Sequence, residues 1–389
     1  MKLKKTLIAI HLWIGLLSGA VVIVLGLTGC VLVFADEIRP LVYADRMNVP
    51  SVSGVQLPLQ DMMHKAQIIW GKNKQISALE IYNDPGKTWH FRSYQEDTNA
   101  GRWYWNEKKF YESLFMDPYT GQLILREQSE FEFFRVILYL HWSLLLKTEL
   151  GQPIVGVVTL LFVLSLLTGL YLWWPKNKKA RRVRFWFKWK DNTGLKRKNY
   201  DIHNILGFYA FSVGLIIALT GIVWAFPMVD RGLQKLLDTG KLAVKKAIVP
   251  VHPLPEKPGS TGLDFILADI RKKYPDAEGY QFYFPNDSSS NITVLARYEP
   301  VLKTVATRYH LISGQLIQTI TFEGKSNGEK FTAMNYDIHT GSILGLPGKI
   351  IAFLASLISA SLPLTGFLIW YNKNWGKKKT IRNQRFTKL

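Results

Sequence analysis

Cysteine is almost missing from this 389-residue chain, which carries only Cys30. No intramolecular disulfide and no thiolate metal cluster can form, and there is no Cys-x-x-Cys motif. Acidic residues are also few, 29 against 49 Lys and Arg, and three stretches hold almost none. Residues 1–6 carry three Lys and no acid, 176–199 carry eleven basic residues and only Asp191, and 373–389 carry seven and no acid. The whole net charge of +20 lies in these stretches, and the rest of the chain nets zero. A nucleic-acid-binding face would instead place that charge on a folded domain. Charge of either sign is missing from four long runs: Thr6 to Ala35, Val155 to Trp174, Ile202 to Val229 and Ile350 to Asn372. A hydrocarbon layer of about 30 Å needs roughly 20 apolar residues, so four membrane-spanning helices are expected. No nucleophile–base constellation stands out, which argues against covalent or acid–base catalysis.

The basic stretches flank the apolar runs, which is the positive-inside bias. It predicts cytoplasmic termini and a cytoplasmic 176–199 loop, with residues 36–140 and 230–340 on the outer side. Leu27-Thr28-Gly29-Cys30 has the look of a lipoprotein processing site. The apolar run before it is longer than a signal-peptide core and continues through Val31 to Phe34, so the helix is expected to be retained.

What stands at the ends of the runs is more specific. His11, His141, His203 and His339 each mark one end of an apolar segment, and the ends alternate along the chain. His11 and His203 both read His-x-x-x-Gly. Both are followed 17 and 18 residues later by a Thr-Gly pair, Thr28-Gly29 and Thr220-Gly221. Thr168-Gly169 and Thr365-Gly366 close the other two segments. An imidazole at a membrane boundary needs a partner. A lone one is more often an interfacial anchor or a helix cap. Four in register on a repeated unit point to two pairs of metal or haem ligands.

The outer segments resemble each other. In the first, Ile76 to Tyr82 and Thr88 to Arg92 alternate in the strand period around the turn Asn83-Asp84-Pro85-Gly86-Lys87, and Asp117 to Leu123 reads as a second turn. In the second, Leu263 to Tyr274 reads as an amphipathic helix. Tyr280 to Phe284, Asn291 to Tyr298 and Val305 to Leu311 read as strands, and Ser313-Gly314-Gln315-Leu316 matches the Gly-Gln-Leu of the first copy. Two α+β domains, each a helix on an antiparallel sheet, suit this pattern.

Asp117-Pro-Tyr-Thr-Gly-Gln-Leu is similar to the closing turn of a PepSY domain. Asp337-Ile-His339-Thr-Gly-Ser-Ile-Leu-Gly345, leading into the fourth run, resembles the His-Thr-Gly signature of PepSY-associated transmembrane helix proteins. The resemblance covers nearly the whole chain. It implies four transmembrane helices at 7–35, 131–174, 201–228 and 337–372, the second and fourth each including an interfacial lead. It places periplasmic PepSY-like domains at 36–130 and 229–336, a basic cytoplasmic loop at 175–200 and a basic tail at 373–389. Four-helix members with this layout include bacterial inner-membrane ferric-siderophore reductases that carry two b-type haems. Some relatives are fused to a cytoplasmic flavin module. The resemblance thus implies an oxidoreductase for iron acquisition, with a separate flavin or NAD(P)H-dependent donor and a periplasmic ferric chelate as acceptor.

The residue arithmetic fits two haems as well. His11 and His203 begin outward-running helices and share the inner boundary. His141 and His339 precede inward-running helices and share the outer one. Each pair offers two imidazoles to one iron. Gly29 and Gly221 fall at the depth of His141/His339, and Gly169 and Gly366 near His11/His203. They are expected to pack on the macrocycle or, as small residues, simply to let helices approach. Arg126 and Arg135 flank the approach to His141 and, with Arg39 and Arg46, are candidates for haem propionates or an anionic chelate, or are solvated surface charge. Trp13, Trp142, Trp173, Trp174, Trp224 and Trp370 fall at span ends, as interfacial rings do. His64, His90, His252 and His310 have no metal-type spacing and are expected to be structural. Two other readings remain open: a non-redox protein whose outer domains grip a peptide, and direct binding of a transition metal by all four boundary histidines.

Overall fold

The computed structural model describes residues 2–97, 101–175, 177–178, 184–239, 262–285 and 291–375. His252, positions 176 and 179–183 of the basic loop, and positions 376–389 of the tail lie outside the described residues. The chain forms two compact units. One comprises Met1–Phe34, Ile137–Val229 and Ile338–Leu389, and the other Ala35–Val136 and Asp230–Asp337.

The first unit is a four-helix bundle of α1 (Lys2–Leu32), α6 (Thr148–Trp173), α7 (Leu195–Ala225) and α11 (Gly345–Asn374). All four are long and apolar enough to cross a membrane. Leu17, Val157, Leu164, Leu219 and Leu354 are exposed around its outside, as a hydrocarbon solvent allows. Neighbours in the ring are α1–α6, α6–α7, α7–α11 and α11–α1, so α1 stands diagonally from α7. The α1–α11 seam is tight. A Cβ at Gly26 would sit 2.8 Å from the Ser356 carbonyl oxygen and 2.8 Å from Ala360 Cβ.

Two short helices precede α6 and α11 and carry two of the four histidines. His141 and His339 do not sit on spanning helices but in the last turns of α5 (Phe133–Ser143) and α10 (Asn327–Thr340). A sharp elbow follows each. Leu144 and Leu145 take positive φ after α5, and Gly341 and Gly345 do so after α10. The chain folds back so closely that a Cβ at Gly151 would strike the Ser143 carbonyl, and one at Gly348 would strike that of Gly341. The break is thus built the same way in both halves.

The second unit is one sheet, not two. Strands β1 (Ala78–Tyr82), β2 (Trp89–Glu96), β3 (Lys108–Met116) and β4 (Leu123–Gln128) come from the first outer segment. Strands β5 (Gly279–Tyr283), β6 (Asn291–Arg297), β7 (Val305–His310) and β8 (Leu316–Ile320) come from the second. Their order is β4-β3-β2-β1-β5-β6-β7-β8, antiparallel throughout. The two expected domains share a sheet through β1 and β5, with Glu80 opposite Gln281. Ala78 to Ile81 are all buried. A separate first domain would leave this strand as an unpaired edge, and pairing with β5 satisfies it.

Two helices cover one face. The α9 helix (Gly262–Lys273) matches the amphipathic pattern of the sequence, and α4 (Leu59–Trp70) is its counterpart in the first copy. In 59–70, Leu59, Met62, Ala66 and Trp70 carry the helical period and are all buried. They pack with Ile266, Ile270, Leu79, Phe91, Phe282 and Val294 in a single core. The two Gly-Gln-Leu turns are equivalent. Gly121 N–H donates to the Asp117 carbonyl and Gly314 N–H to that of His310, and both glycines have positive φ. Further short helices are α2 (Ala35–Val42), α3 (Ala44–Met47) and α8 (Pro227–Leu237).

Candidate functional site

The bundle brings the four histidines together as two pairs. The rings of His11 and His203 have centroids 6.4 Å apart at an interplanar angle of 76°. Those of His141 and His339 are 6.2 Å apart at 76°. His11 and His203 stand on the diagonal helices α1 and α7, so this pair faces across the bundle. The pairs are widely separated. His11 and Thr28, the contact of His141, are 17 residues apart on α1, or about 25 Å of helix. No group of three or more His, Cys, Asp or Glu gathers among the described residues. The four histidines therefore do not converge, which removes the geometry that shared metal binding by all four requires.

Every Thr-Gly pair is a seat for one imidazole. His11 Nδ1 lies 3.1 Å from Thr168 Oγ1 and 3.1 Å from the Ser165 carbonyl oxygen. His141 Nδ1 lies 2.9 Å from Thr28 Oγ1 and 3.0 Å from the Leu25 carbonyl oxygen. His203 Nδ1 is 2.9 Å from Thr365 Oγ1 and bonds the Leu362 backbone. His339 Nδ1 is 2.9 Å from Thr220 Oγ1 and bonds the Ile217 backbone. The second acceptor is always the residue three before the Thr.

This arrangement fixes the tautomer. Each Thr hydroxyl spends its proton on its own helix: Thr28 to Val24 O (2.7 Å), Thr168 to Leu164 O (2.7 Å), Thr220 to Ile216 O (2.9 Å) and Thr365 to Ser361 O (3.1 Å). A hydroxyl so committed can only accept at its lone pairs, and a carbonyl only accepts. Nδ1 must therefore carry the proton, and Nε2 is left with the lone pair that binds a metal. The sequence had singled out the Thr-Gly pairs for their glycines and missed the role of the threonines. Their constant place before each glycine was the available signal.

Each of the four glycines lies against an imidazole. A Cβ at Gly29, Gly169, Gly221 or Gly366 would meet Cε1 of His141, His11, His339 or His203, at 3.4, 3.1, 3.6 and 3.2 Å respectively. Each glycine makes room for an imidazole edge. The physical reason is local: Cε1 adjoins Nδ1, so the residue after the accepting Thr lies beneath it. The depths inferred from sequence are those observed.

The exchange follows the repeat. Helices α1 and α6 supply the seats for His141 and His11, and α7 and α11 supply those for His339 and His203. Each half of the chain thus orients its own histidines, while every ring pair takes one histidine from each half. Trp224 packs on His339 with centroids 5.1 Å apart, and Trp142 lies 6.3 Å from Trp224.

The arginines singled out by sequence are already engaged. Arg126 donates from Nε (2.9 Å) and Nη2 (2.7 Å) to Glu112, which also holds Lys74. Arg135 lies over the Tyr111 ring, 4.2 Å from its centroid, and shares α5 with His141 at a spacing that puts the two on different faces. Arg46 pairs with Glu127, and Arg39 lies 3.6 Å from Asp36. Arg126 is thus spent within the sheet, and Arg135 packs from α5 onto a ring of β3. His90 is a half-buried histidine of the sheet, stacked on Phe115 at 4.3 Å and 2.8 Å from Ser113 Oγ. His310 Nδ1 accepts the Ser313 N–H in the second Gly-Gln-Leu turn.

No curated protein matches the chain. The PepSY-associated TM region matches residues 8–373, and the chain therefore belongs to that family.

Proposed function

We propose that this protein is a dihaem electron carrier of the bacterial inner membrane. One b-type haem is held by His11 and His203 and the other by His141 and His339. The observation that carries the reading is the spacing of the rings. At a metal–imidazole distance of about 2.0 Å, with the ring centre roughly 1.1 Å behind the nitrogen, two imidazoles on one iron have centroids about 6.2 Å apart. The pairs stand at 6.4 and 6.2 Å, each ring with Nδ1 engaged and Nε2 open to a metal. A bis-imidazole haem supplies reversible one-electron transfer without opening a coordination position.

The chain's own contribution is to hold four imidazoles in one tautomer and one orientation. A hydrogen bond from Nδ1–H also raises the basicity of Nε2. Two ring pairs about 25 Å apart along α1 divide a hydrocarbon layer that one hop would cross poorly. With the basic stretches cytoplasmic, His11/His203 is the inner pair and His141/His339 the outer. Electrons then pass outward from a separate flavin or NAD(P)H-dependent donor to a periplasmic ferric chelate, as in ferric-siderophore reduction. Reduction to Fe(II) weakens a siderophore's grip and releases the metal.

The test is haem content followed by topology of transfer. Detergent-purified protein is expected to give two non-covalent haems per chain in a pyridine haemochrome assay, with a dithionite-reduced b-type spectrum. A colourless protein would favour the peptide-binding reading. His203→Ala is expected to lose the inner haem and to abolish reduction of an external ferric chelate by an internal donor in sealed vesicles. The outer haem should remain reducible by dithionite. Chelate reduction at the wild-type rate in that variant would remove the inner pair from the electron path.

A further inference from the structure

Between α6 and α7, the stretch Arg184-Phe185-Trp186-Phe187-Lys188-Trp189-Lys190 carries a ring or a cation at every position. One ring turns inward. Phe185 meets Trp173, the last residue of α6, and Phe208 of α7, each edge to face with centroids 5.1 Å apart. The Tyr209 hydroxyl donates to the Phe185 carbonyl at 3.0 Å, and the Arg184 guanidinium donates to the Trp173 carbonyl. The far end is pinned as well. Trp189 Nε1 donates to Asp201 Oδ2 at 3.2 Å, and the Lys190 N–H to Thr193 Oγ1 at 2.8 Å. The loop is held against the bundle at both ends.

These anchors fix its depth. Phe208 and Tyr209 lie six and seven residues inside the charge-free run that begins at Ile202, about 10 Å along the helix. Tyr209 is exposed on the flank of the bundle. A segment bonded to that flank runs where hydrocarbon gives way to headgroups. Trp186, 67% exposed, and Phe187 and Trp189, also exposed, are then at the level that such rings favour, with their apolar bodies in the acyl boundary. Between them the charge is free. Lys188, Lys190 and Lys196 are exposed and have no ion pair among the described residues, while the nearby Asp201 is taken by Arg197. A soluble acidic partner would match the lysines but would leave the rings on the lipid-facing flank unexplained.

We propose that residues 184–190 lie in the plane of the membrane and bind anionic phospholipid. Trp186 and Phe187 enter the acyl boundary, and Lys188 and Lys190 hold the phosphate of the headgroup. The site stands independently of the haem assignment.

Fluorescence quenching in nanodiscs tests it, on the full-length chain with Cys30→Ser and Trp186→Cys and a fluorescent label on the introduced thiol. Phe187→Cys, labelled in the same way, gives a second position. At both, lipid spin-labelled near the headgroup is expected to quench more than aqueous iodide. Spin-labelled phosphatidylglycerol should match the quenching that phosphatidylcholine reaches at about fivefold higher mole fraction, the preference expected of one lysine at an anionic surface. Lys188→Gln with Lys190→Gln should abolish that preference. Lys72→Gln with Lys235→Gln, the same loss of charge from exposed positions of the sheet unit, should keep it. The proposal fails if iodide quenches both positions and lipid does not, which would leave the loop open to a soluble acidic partner. It fails equally if the two lipids quench alike, or if the Lys188 and Lys190 double variant keeps the preference.

Discussion

Replacing each seat glycine by alanine asks the same question four times and should not give the same answer. Carbon–carbon contacts are best at about 3.5–4.0 Å. An added methyl at Gly169 would stand 3.1 Å from His11 Cε1, and one at Gly366 would stand 3.2 Å from His203 Cε1. At both, the imidazole must retreat by a few tenths of an ångström. That retreat lengthens an Nδ1–Thr contact that is already 3.1 Å at His11. Overpacking of this kind costs about 1–3 kcal/mol, which is roughly a 5- to 150-fold loss in the population with the ring properly seated. At Gly221 the methyl would lie 3.6 Å from His339 Cε1, an ordinary contact, and at Gly29 it would lie at 3.4 Å, on the margin. Gly169→Ala and Gly366→Ala are therefore expected to lower haem content and the thermal unfolding midpoint. Gly221→Ala should leave both near wild type, with Gly29→Ala between. Haem per chain by pyridine haemochrome and unfolding followed by circular dichroism are sufficient readouts. If Gly221→Ala were as damaging as Gly169→Ala, or if neither had any effect, the glycines would not be seats for imidazole edges.

Thr168→Val keeps the shape of the side chain but removes the acceptor for His11 Nδ1–H. It is expected to weaken haem affinity at the His11/His203 pair by about tenfold or more, in the range of second-sphere substitutions at metal-ligating histidines. Thr168→Ser should restore it. Equal haem titrations for the Val and Ser variants would show that the hydroxyl does not hold the ring. In the sheet unit, burial first and then Arg92, Arg46 and Arg39 depress the pKa of His90 well below the ordinary 6.5. The folded state keeps this ring neutral while the unfolded chain protonates it. Stability from His90 is thus fully present above pH 6.5 and is lost as pH falls below it, by up to about 1.4 kcal/mol per pH unit. Unfolding midpoints measured from pH 7 to 5 should show a shallower decline in His90→Gln than in wild type, and identical slopes would refute the assignment.

The sequence by itself determined whatever is written in local pattern. Four charge-free runs long enough for a bilayer became α1, α6, α7 and α11, because apolar helices need only length and the absence of charge. The repeated Thr-Gly pairs and the alternation of histidines fixed which depths correspond, because 1.5 Å per residue converts spacing into height. The matching Gly-Gln-Leu turns became the same turn twice, since both need a glycine at positive φ. The helix at 59–70 is equally legible, in the period of Leu59, Met62, Ala66 and Trp70. Contacts between residues far apart in the chain were decided only by the tertiary structure. Thr28 meets His141 across 113 residues and Thr168 meets His11 across 157, so no local spacing could assign a threonine to its ring. Whether the two repeats close separately or share one sheet depends on the edges of β1 and β5, whose unpaired backbone is satisfied only when they meet. The elbows that part His141 and His339 from the spanning helices rest on backbone approaches at Gly151 and Gly348. Arg126 likewise had a partner, Glu112, that appears only when β3 and β4 pair.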